Sequence, residues 1–425
     1  MNKNKVFLIF LLLRFYSNQE IKDDNKPGPI LLRLNPNNEV QVDFLKSLKR
    51  DKHNLKFQVW RDADLPGHHV DIWVAQKSYH DFLIYIRKVG IQHEVLSEDL
   101  YKSIGHRNIS LIGIETFDSN YQDFEEIVAE MTRLSYFYND SVKMEKIGMS
   151  YDGRFIHAIT VFHNSSLIKP KIVINCGVHA REWLAISSCK YVLRKLVFNQ
   201  NYDADISKLL KNYDVTIIPI LNPDGYIYSK RYRMWRKSRS KTTDQNCNGV
   251  DINRNFGYRW GSGGSSSDVC AETYCGTHPF SEIESLSLAR FLYKNRRSLK
   301  AYIDVHTFGQ MWITPWGFTH SISKDYKTQE NAMKRIQLAI KINNNVTYQI
   351  GRSSDIMYQT SGDALDWVYG RLGIVHTYGV ELRPTLQIKN GFVYSRLAIV
   401  LSGEDLMVGL KELSKVMLEE EKNAF

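Results

Sequence analysis

Three side chains of metal-ligand type follow two apolar segments of the sequence. His179 and Glu182 come just after the segment IVINCGV, and His306 ends the segment LKAYIDVH. If the chain turns into a helix at this point, His179 and Glu182 share one helix face, because they are three positions apart, and can hold one cation. Two histidines and one carboxylate that leave a fourth position to water are the ligand set of a catalytic zinc. A His-x-x-Glu pair is by itself a weak signal, so the interpretation depends on the rest of the chain.

Two further carboxylates lie within or directly after apolar segments of the same kind. Glu381 follows the apolar segment IVHTYGV, and burying a carboxylate there is unfavourable unless it is paired or used. Beside a metal-activated water it could take up a proton and pass it to a leaving amine. An ion pair with Arg383 is the structural alternative. Asp304, two residues before His306, is expected to pack locally or to contact the histidine from behind.

Another group of residues could bind a carboxylate. Asn253 and Arg254 lie in the segment GVDINRNF, after a short predicted strand, and Tyr358 lies in DIMYQTSGDALDW. Arg254 can make a two-pronged, charge-assisted contact with a carboxylate, and Asn253 and Tyr358 are additional donors. Loop capping and a surface aromatic are the corresponding structural roles.

The elements that would position these side chains alternate between strands and helices. The predicted strands are the near-continuous apolar runs KIVINC, DVTIIPI, LKAYIDVH and IVHTYGVEL. Predicted helices follow HAREW, begin at Ser281 with a capping box to Glu284, cover residues 329–343 and close the chain at about 404–421. This order predicts an α/β fold with a mixed, largely parallel sheet and helices on both faces. His179, His306 and Glu381 all fall at strand ends, where such sheets form their sites.

Residues 30–98 form a different pattern, βαββαβ, which predicts a small α+β open sandwich. Its second helix is predicted to begin with Ser78 as N-cap and to end at Gly90. The segment holds no cluster of metal-ligand residues, so the chemistry is assigned to the later part of the chain. A break is expected between residues 99 and 116, where Lys102 and Arg107 would be exposed to a trypsin-like protease.

Composition and the N-terminus indicate a secreted two-domain protein. The chain has 425 residues, of which 43% are hydrophobic and 12% aromatic, enough for a sizeable core and against global disorder. Two lysines precede an apolar run over residues 6–13 that is too short to cross a bilayer, which predicts a signal peptide at 1–17. Four glycosylation sequons fit this compartment, at Asn108, Asn139, Asn164 and Asn345.

The five cysteines are interpreted in the same oxidising context. Cys247 and Cys270 flank a Gly/Ser-rich loop and are predicted to form a disulfide. Cys176, in an apolar strand, and Cys189, on a helix, are expected to be buried thiols. Cys275 has no predicted role.

The net charge of +10 could indicate a nucleic acid or another polyanion as partner. The densest basic run, KRYRMWRKSRSK at 230–241, is interleaved with a tyrosine and a tryptophan, and by itself it favours a phosphate-binding surface.

Taken together, the motifs resemble those of the zinc metallocarboxypeptidases of the pancreatic carboxypeptidase A/B family. The resemblance covers nearly the whole chain and rests on GVHAREW, NPDGYIYSKRYRMWRKSRS, GVDINRNF, CAETYCG, IDVHTFGQMWITPWG, IMYQTSGDALDW and VELRP, in the family's order. It implies an inactive precursor with an activation prodomain at 18–107, which covers the active site, and a catalytic domain at 108–425.

The resemblance also implies a role for each matched residue. His179, Glu182 and His306 match the ligands of one Zn²⁺ per chain, and Glu381 matches the general base and acid. Arg236 matches the arginine that stabilises the oxyanion, which gives part of the basic run a role in peptide hydrolysis. Asn253, Arg254 and Tyr358 match the residues that bind the substrate's terminal carboxylate. Arg181 matches a residue of a neighbouring subsite.

The matched specificity pocket is uncharged. Leu365 occupies the floor position that holds an acid in the basic-specific branch of the family. The other matched pocket residues are Ile313, Gly317, Ser353 and Gly379. An apolar floor favours Leu, Ile, Phe, Tyr or Trp at the substrate C-terminus. Gly379 is small for its position, so a roomier pocket is possible, and Asp363 replaces a glycine close to the pocket.

The expected partners are peptide or protein C-termini and an activating trypsin-like protease, with no nucleic acid, no membrane and a monomeric state. Three alternatives stay open at this point. One is a catalytically silent binding protein, another is a polyanion binder that uses residues 230–241, and the third is a B-type enzyme that acts on C-terminal Lys or Arg, for which Asp363 is the argument.

Overall fold

The computed structural model describes residues 30–50, 55–61, 66–98, 117–164, 169–386 and 391–423. The predicted signal peptide at 1–17, the cleavage segment with Lys102 and Arg107, and the sequon at Asn108 lie outside these residues.

The N-terminal unit has the predicted βαββαβ order. Its elements are β1 (Ile30–Asn35), α1 (Glu39–Arg50), β2 (Phe57–Arg61), β3 (Val70–Val74), α2 (Gln76–Lys88) and β4 (Gln92–Ser97). The strands pair in the order β2-β3-β1-β4, with every neighbour antiparallel. Phe82, Leu83 and Ile86 of α2 are buried against the sheet at the spacing of one helix face.

The predicted N-cap of α2 was wrong. The helix begins at Gln76, with Ala75 as the N-cap residue. The Ser78 hydroxyl instead accepts a hydrogen bond from the backbone N–H of Lys56, at 2.9 Å, so it binds the segment before β2. Gly90, with φ +68°, follows the end of the helix as expected.

The C-terminal unit is an α/β sandwich. Its elements are α3 (Phe124–Phe137), β5 (Val142–Met149), β6 (Phe155–Val161), β7 (Lys171–Cys176), α4 (Trp183–Asn199), α5 (Ala204–Asn212), β8 (Asp214–Ile218), α6 (Pro223–Arg231), α7 (Ile283–Asn295), β9 (Leu299–Gly309), β10 (Met311–Thr314), α8 (Tyr326–Asn344), β11 (Gln349–Arg352), α9 (Ser353–Ile356), α10 (Ala364–Trp367), β12 (His376–Thr385) and α11 (Leu397–Asn423). In the described part of the chain, eight strands pair in the order β11-β10-β12-β9-β7-β8-β6-β5. The four central strands, β12, β9, β7 and β8, are parallel to one another. Three pairs are antiparallel: β10 with β12, β6 with β8, and β5 with β6. The predicted fold class is confirmed.

The sheet is covered on both faces because its central strands are apolar on both sides. In β7, Ile172 and Ile174 pack in one cluster with α4 and α11, while Val173 points to the other face and packs with α7. This alternation follows from the two-residue period of a strand. The central strand ends are thereby held in a rigid frame.

The predicted capping box at Ser281 was also wrong. Helix α7 begins at Ile283, and Glu282 is its N-cap residue. The Ser281 hydroxyl lies 2.8 Å from the amide Nδ2 of Asn255, which donates to it. Glu284 accepts a hydrogen bond from the backbone N–H of Tyr151 at 3.0 Å. Both side chains therefore bind neighbouring segments.

The cysteines depart from the prediction in one pair. Cys247 and Cys270 form the predicted disulfide, with a Cα–Cα distance of 5.0 Å. Cys176 and Cys189, expected to be thiols, are also joined in a disulfide. Helix α4 packs on β7 and brings the two Cα atoms to 6.6 Å, within reach of a disulfide. Cys275 is a buried free thiol.

Three of the four sequons lie in the described part of the chain. The sequon residues Asn139, Asn164 and Asn345 are all exposed. Among the helices of the described residues, none has an apolar stretch that could cross a bilayer.

The disulfide pattern can be tested by alkylation. The unreduced, denatured chain should be alkylated only at Cys275, and the reduced chain at all five cysteines. Replacing Cys189 by Ser should lower the free energy of unfolding by about 3 kcal/mol, since the bond closes a loop of 13 residues. Cys275→Ser is the control that leaves both bonds intact. Alkylation of three cysteines without reduction would contradict the Cys176–Cys189 bond.

Candidate active site

The strand register brings the predicted site residues to one edge of the sheet. In the parallel pair β9–β12, Glu381 lies opposite His306, and Asp304 lies opposite Gly379. His179 follows β7 after Gly177, whose φ is +63°. A side chain at Gly177 would lie 2.8 Å from Ile186 and 3.0 Å from the carbonyl oxygen of Pro219, so the turn requires a glycine.

Three buried side chains of metal-ligand type converge at the predicted zinc site. The Nδ1 atom of His179 lies 2.7 Å from Oε1 of Glu182, and Nδ1 of His306 lies 3.1 Å from Oε2. The two Nδ1 atoms are 3.2 Å apart. Ligands at 2.0–2.1 Å from a tetrahedral zinc lie roughly 3.3 Å from one another. The donor set and its spacing therefore fit a zinc ion.

The outer nitrogen of each histidine ring faces a carboxylate. His179 Nε2 lies 3.2 Å from Oδ1 of Asp251, and His306 Nε2 lies 3.2 Å from Oδ2 of Asp304. Such partners fix the ring orientation and leave the other nitrogen for a metal. The expected contact of Asp304 from behind His306 is present. Asp251 was missed from the sequence, although it stands two residues before Asn253 in the same motif.

The charge of Glu182 is stabilised by its neighbours. Burial would raise the pKa of this carboxyl, but the two histidines, His179 and His306, outweigh burial and hold the pKa well below its usual range. Glu182 is therefore a carboxylate, the form that binds a metal.

Glu381 is in a different state. It is buried, and burial raises its pKa to about 8, even though His306 and Arg236 act in the opposite direction. The alternative ion pair with Arg383 was wrong, because Arg383 binds Asp405 at 2.5 and 2.7 Å. A carboxyl with a pKa near neutral is suited to proton transfer in both directions.

Arg236 lies beside the ligand cluster. Its Nε and Nη2 atoms bind Oδ2 of Asp251 at 3.1 and 2.8 Å, and Nη1 is 4.0 Å from Oε1 of Glu182. Burial disfavours the charge on Arg236, but Asp251 outweighs this effect and raises the pKa of Arg236 above its usual value. A fixed positive charge therefore faces the site.

The predicted carboxylate grip lines the same cavity. Asn253 and Arg254 belong to a 3₁₀ turn, Ile252–Arg254, and not to a loop after a strand. Arg254 donates to the carbonyl oxygens of Gly264 and Asn253, at 3.0 and 2.7 Å. These bonds fix the guanidinium, and Tyr358 lies beside it with its ring centre 6.0 Å from Cζ.

The predicted subsite residue, Arg181, also lines the cavity. Its Nη1 is 3.1 Å from Oε2 of Glu272, and its guanidinium stacks on the ring of Phe392 at 4.4 Å.

Of the residues predicted to form the specificity pocket, Ile313, Ser353 and Leu365 line the cavity. Gly379 does not enlarge it: an added side chain there would meet Ile313 at 2.7 Å and Leu365 at 2.8 Å. The space above the glycine is thus filled by these two side chains, which corrects the expectation of a roomier pocket.

Much of the basic run is engaged inside the molecule. Arg236 binds Asp251, and Lys237 donates to the carbonyl oxygen of Val269 at 2.8 Å. Arg239 stacks on Tyr228 at 3.5 Å. Internal partners therefore engage these three of the basic side chains that suggested a phosphate-binding surface.

The N-terminal unit covers the cavity. Lys46, Val59 and Asp71 line a space of about 410 Å³ together with the ligand cluster. Arg33 binds Asp71 at 2.7 and 2.8 Å and also donates to the carbonyl oxygen of Leu386, at 2.8 Å. An apolar cluster joins the two units, with Leu31 and Leu96 on one side and Met234, Phe392 and Val393 on the other.

Zinc binding should be visible without an activity assay. Adding Zn²⁺ to metal-free protein at about 100 times its Kd should raise the melting temperature by roughly 3 °C, because binding adds ~2.7 kcal/mol to the folded state. His179→Asn should abolish the increase. His320→Asn, which changes an exposed histidine, should leave it intact. An equal increase in the His179 variant would contradict the assignment of this site.

Comparison with known proteins agrees with this geometry. Residues 127–409 match the family model described as "Zinc carboxypeptidase", and residues 32–106 match "Carboxypeptidase activation peptide". Human (Homo sapiens) carboxypeptidase A6 is 29% identical over 426 residues, which cover 97% of this chain and 95% of that protein. Mouse (Mus musculus) carboxypeptidase A2 is 30% identical over 394 residues, covering 91% and 93%.

A solved structure shares the whole architecture. The crystal structure of thrombin activatable fibrinolysis inhibitor superposes with a TM-score of 0.83 and 29% identity, covering 92% of this chain and 98% of that chain. The resemblance seen in the motifs is confirmed. The family model spans more than half of the sequence, so the chain belongs to the zinc carboxypeptidase family, as a metallocarboxypeptidase with one catalytic Zn²⁺ and an activation peptide ahead of its catalytic unit.

Proposed function

We propose that this chain is secreted as an inactive precursor and, once cut, releases single residues, preferably apolar or aromatic, from the C-termini of peptides. The observation that carries the proposal is the convergence of His179, Glu182 and His306 beside Glu381 and two fixed arginines, Arg236 and Arg254. The proposed boundaries are a signal peptide at 1–17, a prodomain at 18–107 and a catalytic domain at 108–425.

In this proposal His179, Glu182 and His306 hold the zinc. The bound metal supplies a Lewis acid and a water of lowered pKa. Glu381, which is buried and lines the same cavity, takes the proton from the attacking water and gives it to the leaving amine. Arg236 stabilises the negative charge that develops on the carbonyl oxygen, since it is held in place by Asp251.

The restriction to C-termini follows from Arg254. A terminal carboxylate loses its hydration in this cavity and needs a fixed cation in exchange. Arg254 is buried and held by two backbone carbonyls, and Asn253 and Tyr358 add donors beside it. Arg181 would belong to a neighbouring substrate subsite.

The preference for apolar residues follows from the pocket. Leu365 and Ile313 line the cavity with apolar side chains, and both lie next to Gly379, at 2.8 and 2.7 Å from the place of an added Cβ atom. Burying an apolar side chain against them is favourable by roughly 1.5–3 kcal/mol.

Secretion is supported by the basic and apolar N-terminus, by the two disulfides and by the exposed sequons. A trypsin-like protease is the proposed activator, with Lys102 and Arg107 as candidate sites. The proposed active form is a monomer without nucleic-acid or membrane partners.

The mechanism can be tested with blocked dipeptides that end in Phe, Leu, Lys or Arg, before and after limited trypsin treatment. Phe and Leu should be released only after cleavage and only without a zinc chelator. Glu381→Gln should lower kcat by about 10²–10⁴ because it removes the proton acceptor but keeps the size of the side chain.

Glu412→Gln, which neutralises a carboxylate on α11 that binds Arg335, is the matched control and should keep activity. If the folded, zinc-loaded and cut protein hydrolyses no dipeptide, a silent binding protein becomes the better interpretation.

The contact between the units yields a second prediction. Arg33→Met should raise the activity of the uncut protein roughly tenfold, because it removes the bond to the Leu386 carbonyl and leaves Asp71 buried without its cation. Arg87→Met, an exposed position on α2, is the control. Equal activity of the two uncut variants would show that the Arg33 contact does not hold the cover in place.

A further inference from the structure

Two large aromatic side chains are exposed at the end of helix α3. Tyr136 and Phe137 are 75% and 67% exposed, and their rings meet edge to face with 5.2 Å between the ring centres. The buried face of this helix follows the helical spacing through Ile127, Met131 and Leu134. Tyr136 and Phe137 fall outside that face, so packing of the core does not account for them.

A predicted sequon lies in the turn directly after these rings. Asn139 is exposed and begins the acceptor tripeptide that ends at Ser141. The carbonyl oxygen of Tyr138 closes the turn, because it accepts hydrogen bonds from the backbone N–H groups of Ser141 and Val142, at 2.9 and 2.7 Å. Tyr138 itself packs on Phe198, with the ring centres 5.7 Å apart. The turn therefore holds Asn139 at a fixed place beside the end of α3.

The spacing lets a sugar on Asn139 reach the exposed rings. Two residues of chain span at most about 7 Å, which limits the distance between the Cα atoms of Phe137 and Asn139. A pyranose ring has a face made of C–H groups, and such groups pack well on the electron-rich face of an aromatic ring. A sugar in this place would remove apolar surface from water.

The other sequons of the described residues do not combine these features. Asn343, and not an aromatic residue, lies two positions before Asn345. Phe162 lies two positions before Asn164, but it is partly buried, so its ring is less open to a sugar. The exposed aromatic pair therefore distinguishes Asn139.

We propose that Asn139 carries an N-linked glycan whose first sugar packs on Phe137 and covers the aromatic pair. In this modification the Nδ2 amide nitrogen of Asn139 forms a bond to C1 of the first sugar and loses one proton. The bond between C1 and the diphosphate of a lipid-linked sugar donor breaks, and the lipid diphosphate leaves. The inference rests on the proposed function, namely on secretion, because sequons are modified in secreted proteins.

The test uses the full chain, expressed in a secreting eukaryotic cell line, and locates its glycans by mass spectrometry of peptides. Asn139 should carry a glycan. Asn139→Gln should lower the melting temperature by roughly 2 °C, the shift expected in a unit of this size when one aromatic contact is lost. In a Phe137→Ser background the same change should leave the melting temperature unaltered, because the ring that the sugar contacts is gone.

The matched control is Asn345→Gln, which removes another sequon and should change the melting temperature equally with and without Phe137. Equal shifts for Asn139→Gln in both backgrounds, or secreted protein without a sugar at Asn139, overturn this inference alone. A dimer that Phe137→Ser dissociates would show that a second copy of the chain covers the rings instead. Protein that stays in the cells and carries no sugar overturns the proposed secretion as well.

Discussion

The active-site geometry depends on one buried carboxylate, Asp251. It is fully buried, and it contacts the His179 ring, two nitrogens of Arg236 and the backbone N–H of Asn253. Its second oxygen is also 4.0 Å from Arg254. One anion thus orients His179, a proposed metal ligand, and holds Arg236 in place beside it. The same anion anchors the turn that carries the proposed carboxylate grip. Removing a partner from such a network leaves buried charges uncompensated, which is why these residues constrain one another.

The sheet supplies the second constraint. Parallel strands end together, and the register places Glu381 opposite His306 while His179 follows the neighbouring strand β7. Apolar residues on both faces of β7 fix that strand between two helical layers. The polar groups are therefore attached to the least deformable part of the fold, and a carboxyl such as Glu381 can be held in a water-poor place that raises its pKa to about 8.

Sequence patterns predicted the fold and the convergence well because both depend on apolar periodicity and on the strand ends where ligands collect. They failed where a side chain had several partners available. Ser78 and Ser281 look like helix caps, yet each binds a neighbouring segment. The Cys176–Cys189 bond depends on how a helix packs against a strand, which periodicity does not report. Asp251 was missed because its role is defined only by residues that fold around it.

Among the described residues, the N-terminal unit, which covers the site, contacts the catalytic unit through few charged groups. The Arg33–Asp71 pair brings no net charge to the cavity, and Leu31 and Leu96 add an apolar contact between the two units. In the covered state His179, Glu182 and His306 already converge. Inhibition by the N-terminal unit is therefore a matter of access. In the proposed activation, cutting the connection and losing the cover would expose a site in which the electrostatic interactions were set when the chain folded.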